Sequence, residues 1–277
     1  MTYFEAYAEL KEKLKNKGIE EAANDAELLL MHICKTGRNE KFMHPDRLLT
    51  KREEELFNEY SLRREKREPV SQILGRSSFM GFDIQVSKDV LTPRADTEIL
   101  VEEVLKDHGS KEALNILDIC TGTGCILLSL LKLLKSAKGT GADISGEALA
   151  VAEKNNKELD AGASFLRSDL FENIRGTYDI IVSNPPYIKS DEIEKLMPEV
   201  REYEPHIALD GGTDGMAFYK RIIKAAPAFL NSGGYIYLET GYDEATEVSE
   251  LLKTAEFKEI KTIKDYGGND RVVKGHI

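Results

Sequence analysis

The run Ser183-Asn184-Pro185-Pro186-Tyr187 is the sharpest chemical feature of this sequence. It follows directly on Asp179-Ile180-Ile181-Val182, an apolar run typical of a buried strand. The chain therefore places a primary amide, two rigid prolines and an aromatic ring at the end of a strand, where α/β proteins bind their ligands. A simple Asn-Pro turn is the alternative. The coincidence of all four residues with a strand end disfavours that alternative.

A second candidate is the turn Asp118-Ile119-Cys120-Thr121-Gly122-Thr123-Gly124, which lies between a predicted strand and a helix beginning near Cys125. Its glycines let a ligand approach the backbone, and the N–H groups at a helix start suit a carboxylate or a phosphate. Tight packing of a strand on a helix explains such a turn equally well. A dinucleotide fingerprint requires Gly or Ala where Leu127 stands, so NAD is disfavoured.

Asp143 ends the next predicted strand. An acidic side chain at this position can accept hydrogen bonds from both hydroxyls of a ribose. The alternative is an aspartate that caps the following helix.

These side chains need a sheet that brings strand ends together. From Leu114 on, short apolar runs alternate with helical stretches. The runs are 115–118, 141–143, 165–166, 179–182, 235–238, 260–263 and 271–273. Strands separated by helices of this length predict right-handed βαβ units and a mainly parallel sheet covered on both faces. The predicted fold class is α/β, with a doubly wound, mainly parallel seven-stranded sheet.

The N-terminal part predicts a small all-α domain. Thr2 and Thr50 each stand three residues before a glutamate, a capping-box pattern that opens a helix. The alternating run 82–86 predicts one strand of a hairpin. The predicted organisation is a helical domain over 1–68, a hairpin linker over 69–90 and the α/β domain over 91–277.

Composition limits the partners of the chain. Its 277 residues carry 38 Lys and Arg against 49 Asp and Glu, and the net charge of −11 opposes sequence-independent binding to nucleic acid. We interpret the cluster Arg63-Arg64-Glu65-Lys66-Arg67 as a solvated helix face, which charge runs usually are.

Cys34, Cys120 and Cys125 have neither disulfide nor zinc-ligand spacing and fit a reducing cytoplasm. No secretion signal or membrane-spanning run is recognised, and a monomer is expected.

Together the motifs resemble the class I S-adenosylmethionine-dependent methyltransferases, in which Asn-Pro-Pro-Tyr marks enzymes that methylate an amide or a planar exocyclic amine. Other segments resemble the release factor glutamine N5-methyltransferases, the HemK or PrmC family, over nearly the whole chain. These segments are 92–98, 202–205, 208–215, 239–243 and 268–273. The resemblance implies a Rossmann-like methyltransferase domain and a helical domain that helps to dock the release factor.

The resemblance also implies a reaction. The methyl group of S-adenosyl-L-methionine passes to the side-chain amide nitrogen of the glutamine in the Gly-Gly-Gln loop of class I peptide chain release factors. S-adenosyl-L-homocysteine is left, and no metal is required. The Asn184 side-chain oxygen and the Pro185 carbonyl accept the two amide N–H bonds, Tyr187 packs against the flat amide, and Pro186 completes the substrate site. Cofactor contacts are implied for Asp118, Cys120, Thr121, Gly122, Thr123, Gly124, Asp143, Asp169, Leu170 and Asn184.

Three positions depart from the family pattern. Cys120 stands where most members have Gly, Ala95 replaces a proline, and Leu170 stands where an aromatic residue is common. We expect activity to survive Cys120, because a small residue is tolerated in the turn if the backbone angle there is ordinary.

The connection 188–213 is long enough to be a lid or a substrate clamp. We expect its Glu202 and Glu204 to contact basic residues of the release factor. Two roles stay open for Arg94, Asp96 and Glu98, which either form a salt-bridged junction between the domains or bind substrate.

Two other functions compete with this one. An adenine-N6 nucleic-acid methyltransferase shares the amine chemistry, but neither part of the chain offers the basic, aromatic surface it needs. A non-enzymatic protein that only binds an amide loop is disfavoured by the intact run Asn184 to Tyr187.

Overall fold

The computed structural model describes all 277 residues and divides into two units. Unit 1 comprises Met1–Gly75 and Met197–Tyr203, and unit 2 comprises Arg76–Leu196 and Glu204–Ile277. The helices are α1 (Tyr3–Asn16), α2 (Ala22–Cys34), α3 (Glu40–Met43), α4 (Lys51–Glu65), α5 (Val70–Leu74), α6 (Ala95–His108), α7 (Cys125–Leu133), α8 (Gly146–Leu159), α9 (Pro198–Arg201), α10 (Ala217–Ala225) and α11 (Ala245–Thr254). The strands are β1 (Arg76–Phe79), β2 (Phe82–Gln85), β3 (Asn115–Ile119), β4 (Lys138–Asp143), β5 (Ser164–Arg167), β6 (Tyr178–Ser183), β7 (Leu230–Glu239), β8 (Lys258–Lys264) and β9 (Asp270–His276). Short 3₁₀ helices lie at Ile193–Lys195, His206–Ala208 and Ala226–Phe229.

Unit 1 is a helical bundle around one apolar core. Both predicted capping boxes are present, with Thr2 before α1 and Thr50 before α4. Leu10, Leu14 and Phe57 are fully buried in the core. α5 belongs to this unit because Ile73 packs into the same core, and the helical unit therefore runs to Gly75 instead of ending at the predicted residue 68.

The basic cluster of α4 differs from its interpretation as a solvated face. The side chain of Arg64 is only 6% exposed. Its Nε donates to Asp25 Oδ2 at 2.7 Å, and its Nη2 donates to Glu199 Oε1 at 2.9 Å. The interpretation is wrong for Arg64, because α4 turns this residue into the interior of unit 1.

Unit 2 contains the predicted α/β fold. Its seven-stranded sheet has the order β5-β4-β3-β6-β7-β9-β8 and is parallel except for β9, which runs antiparallel to both neighbours. The prediction of a mainly parallel, doubly wound sheet is thus confirmed. The strand order reverses between β3 and β6, and such a switch point opens a crevice at the carboxyl ends of the strands.

Apolar clusters cover both faces of this sheet. Leu117 and Ile181 belong to one cluster and the adjacent Ile116 and Ile180 to the other, as the alternation of side chains along a strand requires. The β1–β2 hairpin contributes buried residues to the second cluster, which explains why it groups with unit 2 and not as a separate linker. None of the helices combines the length and the apolar character needed to cross a membrane.

Candidate active site

A pocket opens at the carboxyl ends of β3, β4, β5 and β6. The predicted site residues that line it are Cys120, Thr121, Gly122, Thr123, Asp143, Asp169, Leu170, Asn184 and Pro186. Asp118, Gly124, Pro185 and Tyr187 are not part of its lining, although they are neighbours in sequence of residues that are. The two motifs and Asp143, far apart in sequence, are therefore brought to one place.

The turn after β3 depends on left-handed backbone. The φ angle is +60° at Cys120, +54° at Gly122 and +79° at Gly124. Only glycine adopts such angles without strain, and a side chain there costs about 1–3 kcal/mol. We expected Cys120 to be tolerated if its backbone angle were ordinary. The angle is not ordinary, so the turn carries strain at this position.

The strain predicts a graded response to substitution at Cys120. We expect Cys120→Ser to leave the free energy of unfolding within about 1 kcal/mol of wild type and Cys120→Gly to raise it by about 1 kcal/mol, because glycine adopts this angle without strain. Cys120→Val should lower it by about 2 kcal/mol, since β-branched residues are outliers at positive φ. Urea unfolding of the three variants measures this. Equal stability of the valine and serine variants would show that the turn relaxes to an ordinary angle.

Asp143 is oriented by backbone donors. Its Oδ2 accepts from Gly122 N at 2.9 Å and its Oδ1 from Ser145 N at 2.9 Å. The cap of α8 is Ser145, whose Oγ accepts from Ala148 N at 3.1 Å, so capping that helix is not the role of Asp143. Burial raises the pKa of this carboxyl above its usual value. The carboxyl lines the pocket with lone pairs left for a ligand.

Asp118 supports the turn from behind. It is fully buried, accepts from the Thr121 hydroxyl at 2.5 Å and keeps Oδ1 without a hydrogen-bond partner. Burial, opposed by the Thr121 hydrogen bond and reinforced by the nearby Asp143, raises its pKa to about 7. A cation bound in the pocket would favour the ionised form of this group.

Asn184 is half-buried at the end of β6. Its Nδ2 donates to Thr97 Oγ1 at 3.3 Å, and its side-chain oxygen takes no part in that bond. Gly211 and Gly215 pack closely against the backbone of Tyr187, at the other end of the run. A Cβ at Gly211 would come within 2.6 Å of Tyr187 Cα, and one at Gly215 within 2.6 Å of the Tyr187 carbonyl oxygen. The Asn-Pro-Pro-Tyr run is therefore fixed from both ends.

Of the two glutamates expected to contact the release factor, Glu202 and Glu204, only Glu202 faces outward. The side chain of Glu204 is 1% exposed and pairs with Arg94 at 2.7 Å. Burial raises the pKa of Glu204 despite this partner. A contact of Glu204 with a release factor is thus incompatible with its position, whereas Glu202 has a half-exposed side chain that pairs with Arg201.

The residues Arg94, Asp96 and Glu98 make their contacts inside unit 2. Asp96 pairs with Arg271 at 3.2 Å, and Glu98 accepts from Met80 N at 2.5 Å. These contacts join the start of α6 to a strand and a hairpin of the same unit, so they do not form a junction between domains. Arg94 also lines the pocket.

Several lining residues were missed by sequence reasoning. Ile144 follows Asp143 directly and offers an exposed apolar side chain, which its position at a strand end could have indicated. Phe218 and Arg221 lie three residues apart on α10, and Arg221 pairs with Asp169 at 2.8 Å. No local pattern links α10 to this pocket, so the sequence alone does not indicate Phe218 or Arg221 as lining residues.

Comparison with known proteins gives a consistent result. The family description "PrmC N-terminal domain" matches residues 5–75, and "Methyltransferase small domain" matches residues 94–200. A release factor glutamine methyltransferase of Caulobacter vibrioides is 41% identical over 99% of this chain and 96% of its own length. Another, from Agrobacterium fabrum, is 41% identical over 95% of this chain and 93% of its own length.

Among solved structures, a methyltransferase from Pyrococcus furiosus superposes with a TM-score of 0.54 at 19% identity, covering 72% of this chain and 90% of that one. At that identity the likeness shows the fold alone. The relatives of high identity span nearly the full chain and include both units. The chain therefore belongs to the release factor glutamine methyltransferase family.

Proposed function

We propose that this protein transfers a methyl group from S-adenosyl-L-methionine to the side-chain amide nitrogen (N5) of the glutamine in the Gly-Gly-Gln loop of a class I peptide chain release factor. The observation that carries the proposal is the placement of Asn184, whose amide oxygen is left free beside the pocket that Asp143 and the turn after β3 also line. The names of the relatives support the choice of a glutamine in a release factor as substrate.

The pocket residues fit the methyl donor. The Asp143 carboxylate suits the two hydroxyls of its ribose, and Ile144 and Leu170 offer apolar side chains to its flat base. The buried Asp118, with one unpartnered oxygen, adds negative charge behind the turn and suits a positively charged donor. When bound, S-adenosylmethionine supplies an electrophilic methyl group on its sulfonium sulfur.

The protein must overcome the low reactivity of an amide nitrogen. That nitrogen shares its lone pair with the neighbouring carbonyl, so it is a poor nucleophile until its orientation is fixed. We assign the two N–H bonds of the glutamine to the Asn184 side-chain oxygen and the Pro185 carbonyl, and the flat face of the amide to Tyr187. No general base is needed, because the methylated nitrogen is acidic enough to lose its extra proton afterwards.

The further roles stay proposals. Unit 1 would help to dock the release factor, as its match to the PrmC N-terminal domain suggests. The net charge of −11 and the names of the relatives do not favour a nucleic-acid amine as substrate. A monomeric state and a cytoplasmic location stay predictions from the sequence.

Mass spectrometry of a purified class I release factor tests this function. After incubation with this protein and S-adenosylmethionine, we expect a mass increase of one methyl group on the glutamine of the Gly-Gly-Gln loop. A release factor with alanine in place of that glutamine is the control and should gain nothing. Cofactor binding without methylation of the release factor would refute the substrate assignment.

A further inference from the structure

Residues 205–208 form one wall of the pocket, and Ile207 is the large apolar side chain of this wall. Although it lines the pocket, Ile207 is 54% exposed. Apolar side chains at the mouth of a pocket contribute to binding when a ligand covers them, because that area is then removed from water. The wall therefore offers a surface that the methyl transfer chemistry itself does not use.

Glu204 fastens the upstream end of this wall. Its side chain is buried, and its two carboxylate oxygens accept from Arg94 Nη2 at 2.8 Å and 2.7 Å. Its Oε1 also accepts from Thr92 N at 3.3 Å. The residue that precedes the wall is thus tied by three hydrogen bonds to the segment that leads into α6.

Main-chain hydrogen bonds fasten the downstream end to the residue that follows the Asn-Pro-Pro-Tyr run. Ile188 N donates to Leu209 O at 3.0 Å, and Gly211 N donates to Ile188 O at 2.8 Å. Between the two anchors the 3₁₀ turn closes on itself, since Ala208 N donates to Pro205 O at 2.8 Å. The position of the wall is therefore set from both sides.

These anchors connect the wall to the proposed substrate amide site. The start of α6, to which Glu204 is tied, also holds Asn184, whose Nδ2 donates to Thr97 Oγ1 at 3.3 Å. The downstream anchor, Ile188, follows the same Asn-Pro-Pro-Tyr run directly. Ile207 consequently belongs to the hydrogen-bonded substructure that holds Asn184.

Ile144 is different, although it is also an exposed isoleucine in the pocket lining. It follows Asp143 at the end of β4, and its carbonyl oxygen accepts from Arg167 Nε at 2.8 Å. Its anchors therefore lie with the carboxylate assigned to the donor ribose, and those of Ile207 lie with the amide assigned to the substrate.

We propose that Ile207 is a specificity-determining residue that packs against the two glycines of the Gly-Gly-Gln loop, and that Glu204 and Arg94 are positioning residues that hold it there. Glycines carry no Cβ, so their backbone can come close to an apolar side chain. The inference rests on the proposed function, because the glycines belong to the release factor.

Steady-state methylation of a release factor tests the contact. We expect Ile207→Ala to raise KM for the release factor about tenfold and to change kcat less than twofold, because the apolar area lost is covered in the ground state and the transition state alike. The Kd of S-adenosylmethionine, measured by calorimetry, should stay within twofold of wild type. A Kd that rises as much as KM would show that Ile207 contacts the donor and would overturn the inference.

Leu133→Ala is the matched control for this variant. Leu133 is an apolar residue of unit 2 that is 45% exposed and does not line the pocket. The control should leave both KM and kcat within twofold of wild type. If Ile207→Ala behaved like this control, the proposed contact would be wrong.

Glu204→Ala tests the positioning role. Arg94 is half-exposed, so water can solvate its guanidinium when the partner is removed. We expect this variant to raise KM for the release factor in the wild-type background, and to add less than twofold when residue 207 is already alanine, because Glu204 acts through Ile207. Glu204→Gln, whose amide oxygen still accepts a hydrogen bond, should recover most of the effect. Effects of Glu204→Ala and Ile207→Ala that multiply in full would refute this role.

Amide hydrogen exchange gives a readout that needs no substrate. In Glu204→Ala we expect the amides of Ala208 and Leu209, which are hydrogen-bonded within the turn, to exchange at least tenfold faster while those of β6 stay protected. Unchanged exchange would overturn the positioning role of Glu204. A wild type that never methylates the release factor would refute the proposed function, whereas a methylating wild type whose KM is unchanged in Ile207→Ala would refute the contact alone.

Discussion

Replacing Asn184 with alanine is expected to lower turnover at least a hundredfold. The variant removes the side-chain oxygen that would accept an N–H bond of the substrate amide, in a pocket where it is already oriented by Thr97. Loss of one preorganised polar partner of this kind costs about 3–4 kcal/mol of transition-state stabilisation. Because the oxygen is needed at the reacting nitrogen, the loss should appear in kcat more than in KM.

The measurement is single-turnover methylation of a release factor by wild type and variant. Asn231→Ala is the matched control, since Asn231 pairs with Asp179 at 2.8 Å and does not line the pocket. The control should retain near wild-type turnover. Binding of S-adenosylmethionine to Asn184→Ala, measured by calorimetry, shows whether the pocket is intact. A variant that keeps more than a tenth of wild-type turnover would contradict the assigned role.

The features that sequence predicted best are those fixed by local pattern. Apolar runs of strand length placed Asp118, Asp143 and Asn184 at strand ends, and the parallel sheet then forces such ends together. Both capping boxes are likewise local, since each involves residues only three positions apart. The convergence of three distant segments on one pocket therefore follows from local patterns combined with the geometry of a parallel sheet.

The features that sequence missed depend on long-range packing. A charge run is usually solvated, and nothing local distinguishes Arg64 from its neighbours. Its burial follows from the approach of Glu199, which is distant in sequence. The positive φ of Cys120 is not indicated by this residue itself, and only the glycine that most family members carry at this position points to it.

Replacing Arg64 with alanine is expected to destabilise unit 1 by about 3–5 kcal/mol. Arg64 lies between two acids, Asp25 and Glu199, that are 6% and 9% exposed. Removing Arg64 leaves Asp25 buried without a cation, while Glu199 keeps its pair with Arg67 at 2.8 Å. An uncompensated buried charge costs far more than an exposed ion pair is worth. Burial already raises the pKa of Asp25, and loss of the guanidinium raises it further. The destabilisation should therefore shrink as the pH falls through the raised pKa of Asp25, because the protonated carboxyl no longer needs a cation.

Amide hydrogen exchange in α2 and α4 reports on unit 1 separately from unit 2. Arg52→Ala on the same helix is the matched control, because its side chain is 73% exposed and its pair with Glu55 contributes at most about 1 kcal/mol. A triple variant, Arg64→Met with Asp25→Asn and Glu199→Gln, keeps the volume and removes the charges, so it should recover most of the lost stability. If the triple variant were as unstable as Arg64→Ala, lost packing and not unpaired charge would be the cause. Since residues 197–203 belong to unit 1 while the chain before and after them belongs to unit 2, protection of Glu199 itself should fall together with that of α4.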